Sequence, residues 1–166
     1  MKRYAIYPGT FDPFTNGHLD IIKRGLKIFD SITVLLAKNP QKNTFFNLEE
    51  RISHINKVIS YENMSDNVSV DSFEGLLVDY CRMKKIHNII RGLRPLVDFE
   101  YEFEMAMVNR SFTEDVETVF ILTHRDYFYL RSTIIKDIIK LNGELPDALP
   151  ECIKEEIICK IKKTCI

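Results

Sequence analysis

Several features are scarce in this sequence, and each scarcity excludes a class of protein. Tryptophan is absent, and the 166 residues include only four cysteines, six glycines and six prolines. No apolar run approaches the ~20 residues that a membrane-spanning helix requires, and the stretch before Pro8 is too short for the apolar region of a secretory signal. We therefore expect a cytosolic (cytoplasmic) protein with no membrane partner. The 45% hydrophobic and 28% charged residues are ordinary for a folded domain and argue against disorder.

Net charge is also scarce. The 23 basic residues are balanced by 24 acidic ones, which leaves a formal charge of −1. Domains that bind nucleic acid usually carry a basic surplus, so no nucleic-acid partner is expected. A local basic pocket remains compatible with this balance.

The cysteines form no C-x-x-C pair and lie near no histidine cluster. We therefore predict that they are reduced packing residues. Three of them fall in the last fifteen residues, so a stray disulfide or a lone ligand stays open there. The four are Cys81, Cys152, Cys159 and Cys165.

Short β-prone runs alternate with longer helical patterns along the chain. This alternation predicts an α/β fold with a parallel sheet and right-handed crossovers, formed by a single domain over residues 1–166. Ligands of such sheets bind beyond the carboxyl ends of the strands. Most of the turn-forming prolines and glycines follow strands one, two and four, which marks the expected active edge. The five strands are expected at residues 3–7, 31–37, 68–73, 86–90 and 116–122.

Three helical features can be placed more closely. Residues 98–105 alternate with period two, as a strand would, but four acidic residues on one face would be costly to pair, and we predict a helix. Asn47 and Glu50 have the spacing of a capping box that begins a helix. Gly143 is expected to end the helix before it.

The first chemical motif spans residues 7–18, where a strand leads into a helix. Gly9 allows close approach of the backbone to a ligand, and Thr10 offers a hydroxyl. Gly17 and His18 fall at the helix opening, where free N–H groups attract phosphate, and a histidine ring can donate to a phosphate oxygen.

These residues carry a resemblance. Residues 15–18 match the T/H-x-G-H motif of nucleotidyltransferases, and residues 7–18 as a whole resemble the bacterial phosphopantetheine adenylyltransferase family. The resemblance implies a Rossmann-like, doubly wound five-stranded parallel sheet with helices on both faces. It also implies transfer of AMP from ATP to 4′-phosphopantetheine, giving dephospho-coenzyme A and pyrophosphate, with Mg²⁺ accompanying ATP. A homohexamer and feedback inhibition by coenzyme A are implied by the family alone.

Three further motifs follow in the family's order. Lys42 lies in a loop after the second strand, and by resemblance it meets the phosphate of phosphopantetheine; otherwise it is a solvated surface lysine. Arg91 and Arg94 flank a glycine past the fourth strand and could converge on phosphates. The alternative is that these arginines pair with the acidic run that follows them.

The fourth motif, residues 127–136, runs from a loop into a helix. Ser132 and Thr133 are candidate N-caps that could hold ATP phosphates. The sequence departs from the family pattern I-S-S-x-x-x-[KR], because Leu130 replaces the isoleucine and Arg131 the first serine. The arginine could add a phosphate contact or point away as an altered cap.

The resemblance assigns roles residue by residue. The expected catalytic contacts come from Thr10, His18, Lys42 and Arg91. The expected contacts with phosphopantetheine come from Thr10, Lys42, Leu77 and Arg91, although Leu77 reads equally well as a core leucine. The expected contacts with ATP come from Thr10, Phe11, His18, Gly92, Leu93, Arg94, Glu102, Tyr127, Phe128, Tyr129, Leu130, Arg131, Ser132 and Thr133.

A direct in-line transfer fits these residues, because the acceptor phosphate is already a nucleophile and the enzyme supplies positioning and charge. No protein-held metal is expected, since the sequence offers no obvious carboxylate cage. One alternative is a sister enzyme acting on another acceptor, such as nicotinamide mononucleotide. Another is a non-catalytic nucleotide-binding regulator. A P-loop kinase is excluded, because G-x-x-x-x-G-K-[ST] is absent.

Overall fold

Five parallel strands form the centre of the molecule. The computed structural model describes residues 2–37, 43–93, 97–144 and 147–164. The strand order is β3-β2-β1-β4-β5, and every neighbouring pair is parallel. This confirms the predicted doubly wound α/β sheet. The strands are β1 (Tyr4–Gly9), β2 (Ser31–Ala37), β3 (Val68–Phe73), β4 (Asn88–Leu93) and β5 (Glu117–Leu122).

Two strands run further than the local turn signals indicate. Pro8 and Gly9 continue β1, paired with Leu35 and Leu36 of β2. Gly92 likewise lies inside β4, opposite Ile121 of β5. The predicted strand ends were therefore wrong by two or three residues, because pairing with a neighbouring strand outweighs the turn preference of single residues.

Helices cover both faces of the sheet, as expected. One face carries the larger apolar core, which packs against α1, α2, α5 and α6; the other carries a smaller core that includes Ile6, Leu35 and Ile89 and packs against α3. The helix α4 contacts β4, β5 and α3. The helices are α1 (Asn16–Gly25), α2 (Leu48–Tyr61), α3 (Leu77–Lys84), α4 (Val97–Phe112), α5 (Ser132–Lys140) and α6 (Glu151–Lys163).

The predicted helix boundaries had different outcomes. The capping box at the start of α2 is confirmed: Glu50 N donates to Asn47 Oδ1 at 2.8 Å, and Asn47 N donates to Glu50 Oε2 at 2.9 Å. The prediction that Gly143 is the C-cap was wrong by two residues, because the C-cap of α5 is Leu141. Asn142 takes the left-handed conformation, with φ of 57°, and Gly143 N then donates back to Ile138 O. Asparagine accepts this conformation because its short polar side chain tolerates it.

The ambiguous run of residues 98–105 lies within the helix α4, as predicted. Its aromatic and methionine side chains are largely exposed in the single chain. Among the described residues, no helix has the length and apolar character needed to cross a membrane. Cys81, Cys152 and Cys159 are free thiols, and burial raises the pKa of Cys81 to about 11; Cys165 lies outside the described residues.

Candidate active site

A cavity of about 610 Å³ opens beside the carboxyl ends of β1 and β4. These two strands are neighbours, and the chain order reverses between them, which is where doubly wound sheets bind their ligands. The volume suits a small-molecule site. The lining includes nine of the predicted site residues, namely Thr10, Phe11, His18, Leu77, Arg91, Gly92, Glu102, Ser132 and Thr133.

The end of β1 brings Thr10 to the cavity and turns the chain toward α1. Phe11 has a φ of +51°, and its ring packs inward at 3% exposure. A Cβ atom on Gly9 would lie 2.7 Å from that ring. A side chain at position 9 would therefore collide with the Phe11 ring. Gly9 also lines the cavity, and close approach of a ligand to its backbone stays a prediction.

His18 is fixed by its own helix. Thr15 is the N-cap of α1, and its backbone N–H donates to His18 Nδ1 at 3.0 Å while its hydroxyl accepts from the His18 backbone N–H. Since Nδ1 acts as an acceptor, a neutral ring carries its hydrogen on Nε2. The rings of Phe11 and Phe14 lie 5.1 and 5.5 Å from the imidazole, centroid to centroid. The imidazole is thereby oriented before any ligand binds.

Arg91 and Glu102 meet on the cavity wall. The guanidinium donates to both carboxylate oxygens at 2.6 Å and to Pro8 O at 2.9 Å. Burial would lower the pKa of Arg91, but the carboxylate of Glu102 outweighs it and raises that pKa. The pairing of Arg91 with the acidic run, left open by the sequence, is thus present. The predicted ligand contacts of both residues stay predictions.

A second ion pair, between Asp12 and Lys136, also lines the cavity. Lys136 Nζ lies 2.6 Å from Asp12 Oδ2, and the same carboxylate accepts the backbone N–H groups of Phe45 and Phe46 at 2.9 and 2.8 Å. Burial would raise the pKa of Asp12, yet Lys136 and the two N–H groups hold it below its ordinary value. Asp12 therefore joins three segments of chain around the site.

The fourth motif is only partly confirmed. Arg131, not Ser132 or Thr133, is the N-cap of α5, and its side chain makes no capping bond. The Ser132 hydroxyl instead donates to Pro13 O at 2.9 Å, so it ties α5 to the loop after β1. The predicted N-cap role of Ser132 and Thr133 was therefore wrong, although both residues line the cavity.

The remaining predicted residues are dispersed. Tyr127 and Leu130 line a smaller cavity of about 60 Å³ that shares His18 and Gly92 with the larger one. Phe128, Tyr129 and Arg131 are exposed and line neither cavity, while Leu93 is buried at the end of β4. Lys42 and Arg94 lie outside the described residues.

Several cavity residues were missed by the sequence analysis. Asp12 and Lys136 stand inside recognised motifs, but no local signal pairs residues 124 positions apart. Tyr7 and Pro8 belong to the first motif but were assigned no contact. The others lie at the end of β2 and in neighbouring loops, outside any motif; they are Ala37, Asn43, Thr44 and Gly75.

The chain is similar to known proteins over nearly its full length. Residues 6–138 match the family described as Cytidylyltransferase-like. The phosphopantetheine adenylyltransferase of Geotalea daltonii is 48% identical over 161 residues, covering 97% of this chain and 98% of the relative. That of Geobacter metallireducens is 47% identical over 164 residues, covering 98% of each chain.

A solved structure extends the likeness to the fold. The nicotinic acid mononucleotide adenylyltransferase of Plasmodium falciparum, in complex with NaAD, superposes with a TM-score of 0.68 over 99% of this chain and 96% of that chain. At 14% identity this likeness concerns the fold alone. The doubly wound sheet is thus shared with a nucleotidyltransferase of distant sequence.

Proposed function

The chain belongs to the phosphopantetheine adenylyltransferase family, and from that premise we propose that it transfers AMP from ATP to the phosphate of 4′-phosphopantetheine. The products are dephospho-coenzyme A, on the route to coenzyme A, and pyrophosphate. One observation carries the proposal: Thr10, His18, Arg91 and Lys136 converge on one cavity at the point where the strand order reverses. Three of these four side chains are nitrogen donors suited to phosphate oxygens.

The reaction needs no covalent intermediate. An oxygen of the acceptor phosphate forms a bond to the α-phosphorus of ATP, and the bond from that phosphorus to the bridging oxygen of the β-phosphate breaks. Pyrophosphate leaves with the bonding electrons. Because the nucleophile is already anionic, the protein contributes alignment and stabilisation of negative charge on the α-phosphate.

His18 and Thr10 are assigned to the reacting phosphate. A hydrogen on His18 Nε2, required by the contact of Nδ1 with the Thr15 N–H, makes the ring a donor without a change of protonation. Donors aimed at developing charge in this way contribute about 10²–10³ in rate.

The other cations are assigned to the two substrates. Lys42 and Arg91 would orient the acceptor phosphate, and Arg94 with the Ser132 region would hold the triphosphate. The bonds of Arg91 to Glu102 and Pro8 use three of five guanidinium N–H groups. Arg91 can therefore keep Glu102 and still donate to a phosphate. Lys136, with one of three N–H groups on Asp12, joins the triphosphate contacts.

Magnesium is proposed to enter as the counter-ion of ATP. Within the described residues, no group of three or more acidic, histidine or cysteine side chains could hold a metal ion. The two cavity carboxylates, Asp12 and Glu102, are already ion-paired. The described residues thus do not fit a protein-held metal, and no step of the reaction is assigned to one.

Three properties complete the proposal, all from the family resemblance. We propose a cytoplasmic location, a homohexameric assembly and feedback inhibition by coenzyme A. The exposed apolar side chains of α4 support the assembly, since apolar patches of this kind mark contact surfaces.

The substrate is tested by ATP–pyrophosphate exchange with each acceptor in turn. Labelled pyrophosphate should enter ATP when 4′-phosphopantetheine is present, and not with nicotinamide mononucleotide or with no acceptor. Exchange with nicotinamide mononucleotide alone would overturn the substrate assignment. Absence of exchange with every acceptor would favour a non-catalytic nucleotide-binding protein.

A further inference from the structure

The backbone that presents Thr10 to the cavity is held in an unfavourable conformation. The next residue, Phe11, has a φ of +51°, which is rare for a bulky side chain. Such positions persist only where surrounding contacts fix them, and they concentrate at functional sites. Some contact must therefore hold the Thr10–Phe11 segment in place.

The buried guanidinium of Arg51 supplies that contact. Arg51 lies in the first turn of α2 with 7% of its surface exposed. Its Nη1 donates to Thr10 O at 2.7 Å, and its Nε donates to Asn47 O at 3.2 Å. The side chain thus spans from the N-cap of α2 to the end of β1.

Packing alone does not explain an arginine at this position. In the part of the chain that the structure describes, no ion pair joins Arg51 to a carboxylate, although a buried charge is costly unless it is compensated. Burial lowers the pKa of Arg51, and the negative charge of Asp12 partly opposes this. The compensating contacts are backbone carbonyls, and one of them belongs to the loop that carries Thr10.

The contact of Arg51 with Thr10 also affects the surroundings of His18. The segment fixed by Arg51 continues into Phe11, whose ring lies 5.1 Å from the His18 imidazole. On the other side of Gly9, Arg91 donates to Pro8 O at 2.9 Å. Two guanidinium groups therefore hold the end of β1. Arg91 lines the cavity and Arg51 does not.

We propose that Arg51 is a positioning residue for adenylyl transfer, acting through the Thr10 carbonyl. The inference rests on the proposed function and adds a residue outside the cavity to it. Arg51 does not bind substrate; it sets the placement of the Thr10 hydroxyl and of the Phe11 ring beside His18. A small misplacement of such groups costs about 10²-fold in rate.

The test is the steady-state kinetics of the full-length protein with ATP and 4′-phosphopantetheine. Arg51→Met should lower kcat about 10²-fold while KM for both substrates changes by less than about threefold, because the binding groups remain. Arg51→Lys should recover part of kcat, since an ammonium reaches one carbonyl. Arg82→Met is the matched control: it also removes an arginine that donates to a backbone carbonyl, that of Phe112, away from the cavity. Its kcat should be unchanged.

The folded fraction is measured in parallel by circular dichroism, so that rates are expressed per folded molecule. Calorimetry measures the affinity for ATP. A kcat within twofold of wild type in Arg51→Met overturns the inference, as does a loss that vanishes once the folded fraction is counted. If Arg51→Met does not fold, Arg51→Lys decides: wild-type kcat in this variant overturns the inference. Failure of the wild type to use 4′-phosphopantetheine would overturn the proposed function, and the inference with it. The wild-type assay alone distinguishes this outcome from a failure of the inference about Arg51.

Discussion

At the residue scale, His18 combines a structural and a proposed chemical task in one imidazole. Its Nδ1 accepts the N-cap N–H of α1, as a glutamate does in the capping box of α2. With Nδ1 as acceptor, the neutral histidine ring carries its hydrogen on Nε2 and is a donor, whereas a glutamate carboxylate in the same cap is only an acceptor. Capping therefore sets the tautomer and direction of the ring.

We predict that His18→Ala loses about 10²–10³ in kcat, because the variant lacks the donor to the α-phosphate. The lost hydrogen bond from the Thr15 N–H to His18 Nδ1 should cost about 1 kcal/mol in the free energy of unfolding, too little to unfold the protein. Steady-state turnover and ATP binding by calorimetry check this, with ATP binding expected to persist.

The control for His18→Ala is His87→Ala. His87 is exposed, and its ring contacts the carbonyl of Asp115. Turnover of that variant should equal wild type. Near-normal turnover in His18→Ala would refute the assigned role.

At the element scale, the contact between α2 and α6 encloses a buried histidine. His54 has 1% exposure, and its Nε2 lies 3.3 Å from Glu156 Oε1. Its Nδ1 has no hydrogen-bond partner among the described residues. Burial lowers the pKa of His54 more than Glu156 raises it. The other charged groups facing this contact are Lys57, Glu50 and Lys160.

The lowered pKa of His54 makes the folded protein less stable at acidic pH. In the unfolded chain His54 has the ordinary histidine pKa of 6.5, so it binds a proton more readily than it does in the folded chain. Stability from neutral His54 is therefore complete above pH 6.5 and is lost as pH falls from 6.5 toward the folded pKa. We predict that the melting temperature decreases over this range in wild type and decreases less in His54→Leu.

Thermal unfolding between pH 5 and pH 8 tests the role of His54. His87→Leu is the control, because it removes an exposed histidine, and it should keep the wild-type pH slope. Equal slopes in wild type and His54→Leu would show that another group dominates the acid response. Titration of Glu156 does not interfere, since its pKa is lowered from 4.5 by Lys57 and the pairing with His54.

Elements were predictable from sequence where the determinants are local. Alternating β-prone and helical patterns predicted all five strands, and the cost of pairing acidic residues predicted the helix α4. The capping box of α2 involves residues three apart. The end of β1 was misplaced because its pairing with β2 depends on residues far along the chain.

The site residues, too, were predictable from sequence only where their determinants are local. Thr10 and His18 belong to one contiguous motif and reach the cavity as predicted. The pair of Asp12 with Lys136 spans 124 positions, and the bond of Arg51 to Thr10 spans 41. No local pattern distinguishes Arg51 from the other charged residues of its helix, because its burial depends on contacts with distant parts of the chain.

At the scale of the whole molecule, the near-zero net charge conceals a local arrangement. The cavity carries Arg91, Lys136 and His18 against two carboxylates that are already paired. A pocket with low-dielectric walls concentrates the field of such groups on a small anion. The balance of charge over the surface is thus compatible with a polyanionic substrate held inside the fold.

The single chain also exposes a series of large apolar side chains on α4. The exposed side chains follow helical spacing along two stripes of the helix. They comprise Phe99, Tyr101, Phe103, Met105, Met107, Val108 and Phe112. Burial of this surface against other copies would be stabilising in proportion to the area covered. The proposed hexamer thereby has a physical driving force.

We predict that the wild-type protein sediments at about six times the 19.5 kDa of one chain, and that Val108→Glu shifts it toward smaller species. A carboxylate at a buried apolar contact must be desolvated without a partner, which is costly. Glu104→Gln, on the same exposed helix, removes a charge and should leave the assembly intact. Analytical ultracentrifugation over a range of concentrations measures both. A wild-type monomer at every concentration would refute the hexamer. An unchanged Val108→Glu assembly would place the contact surface elsewhere, because the charge would then remain in water at no cost.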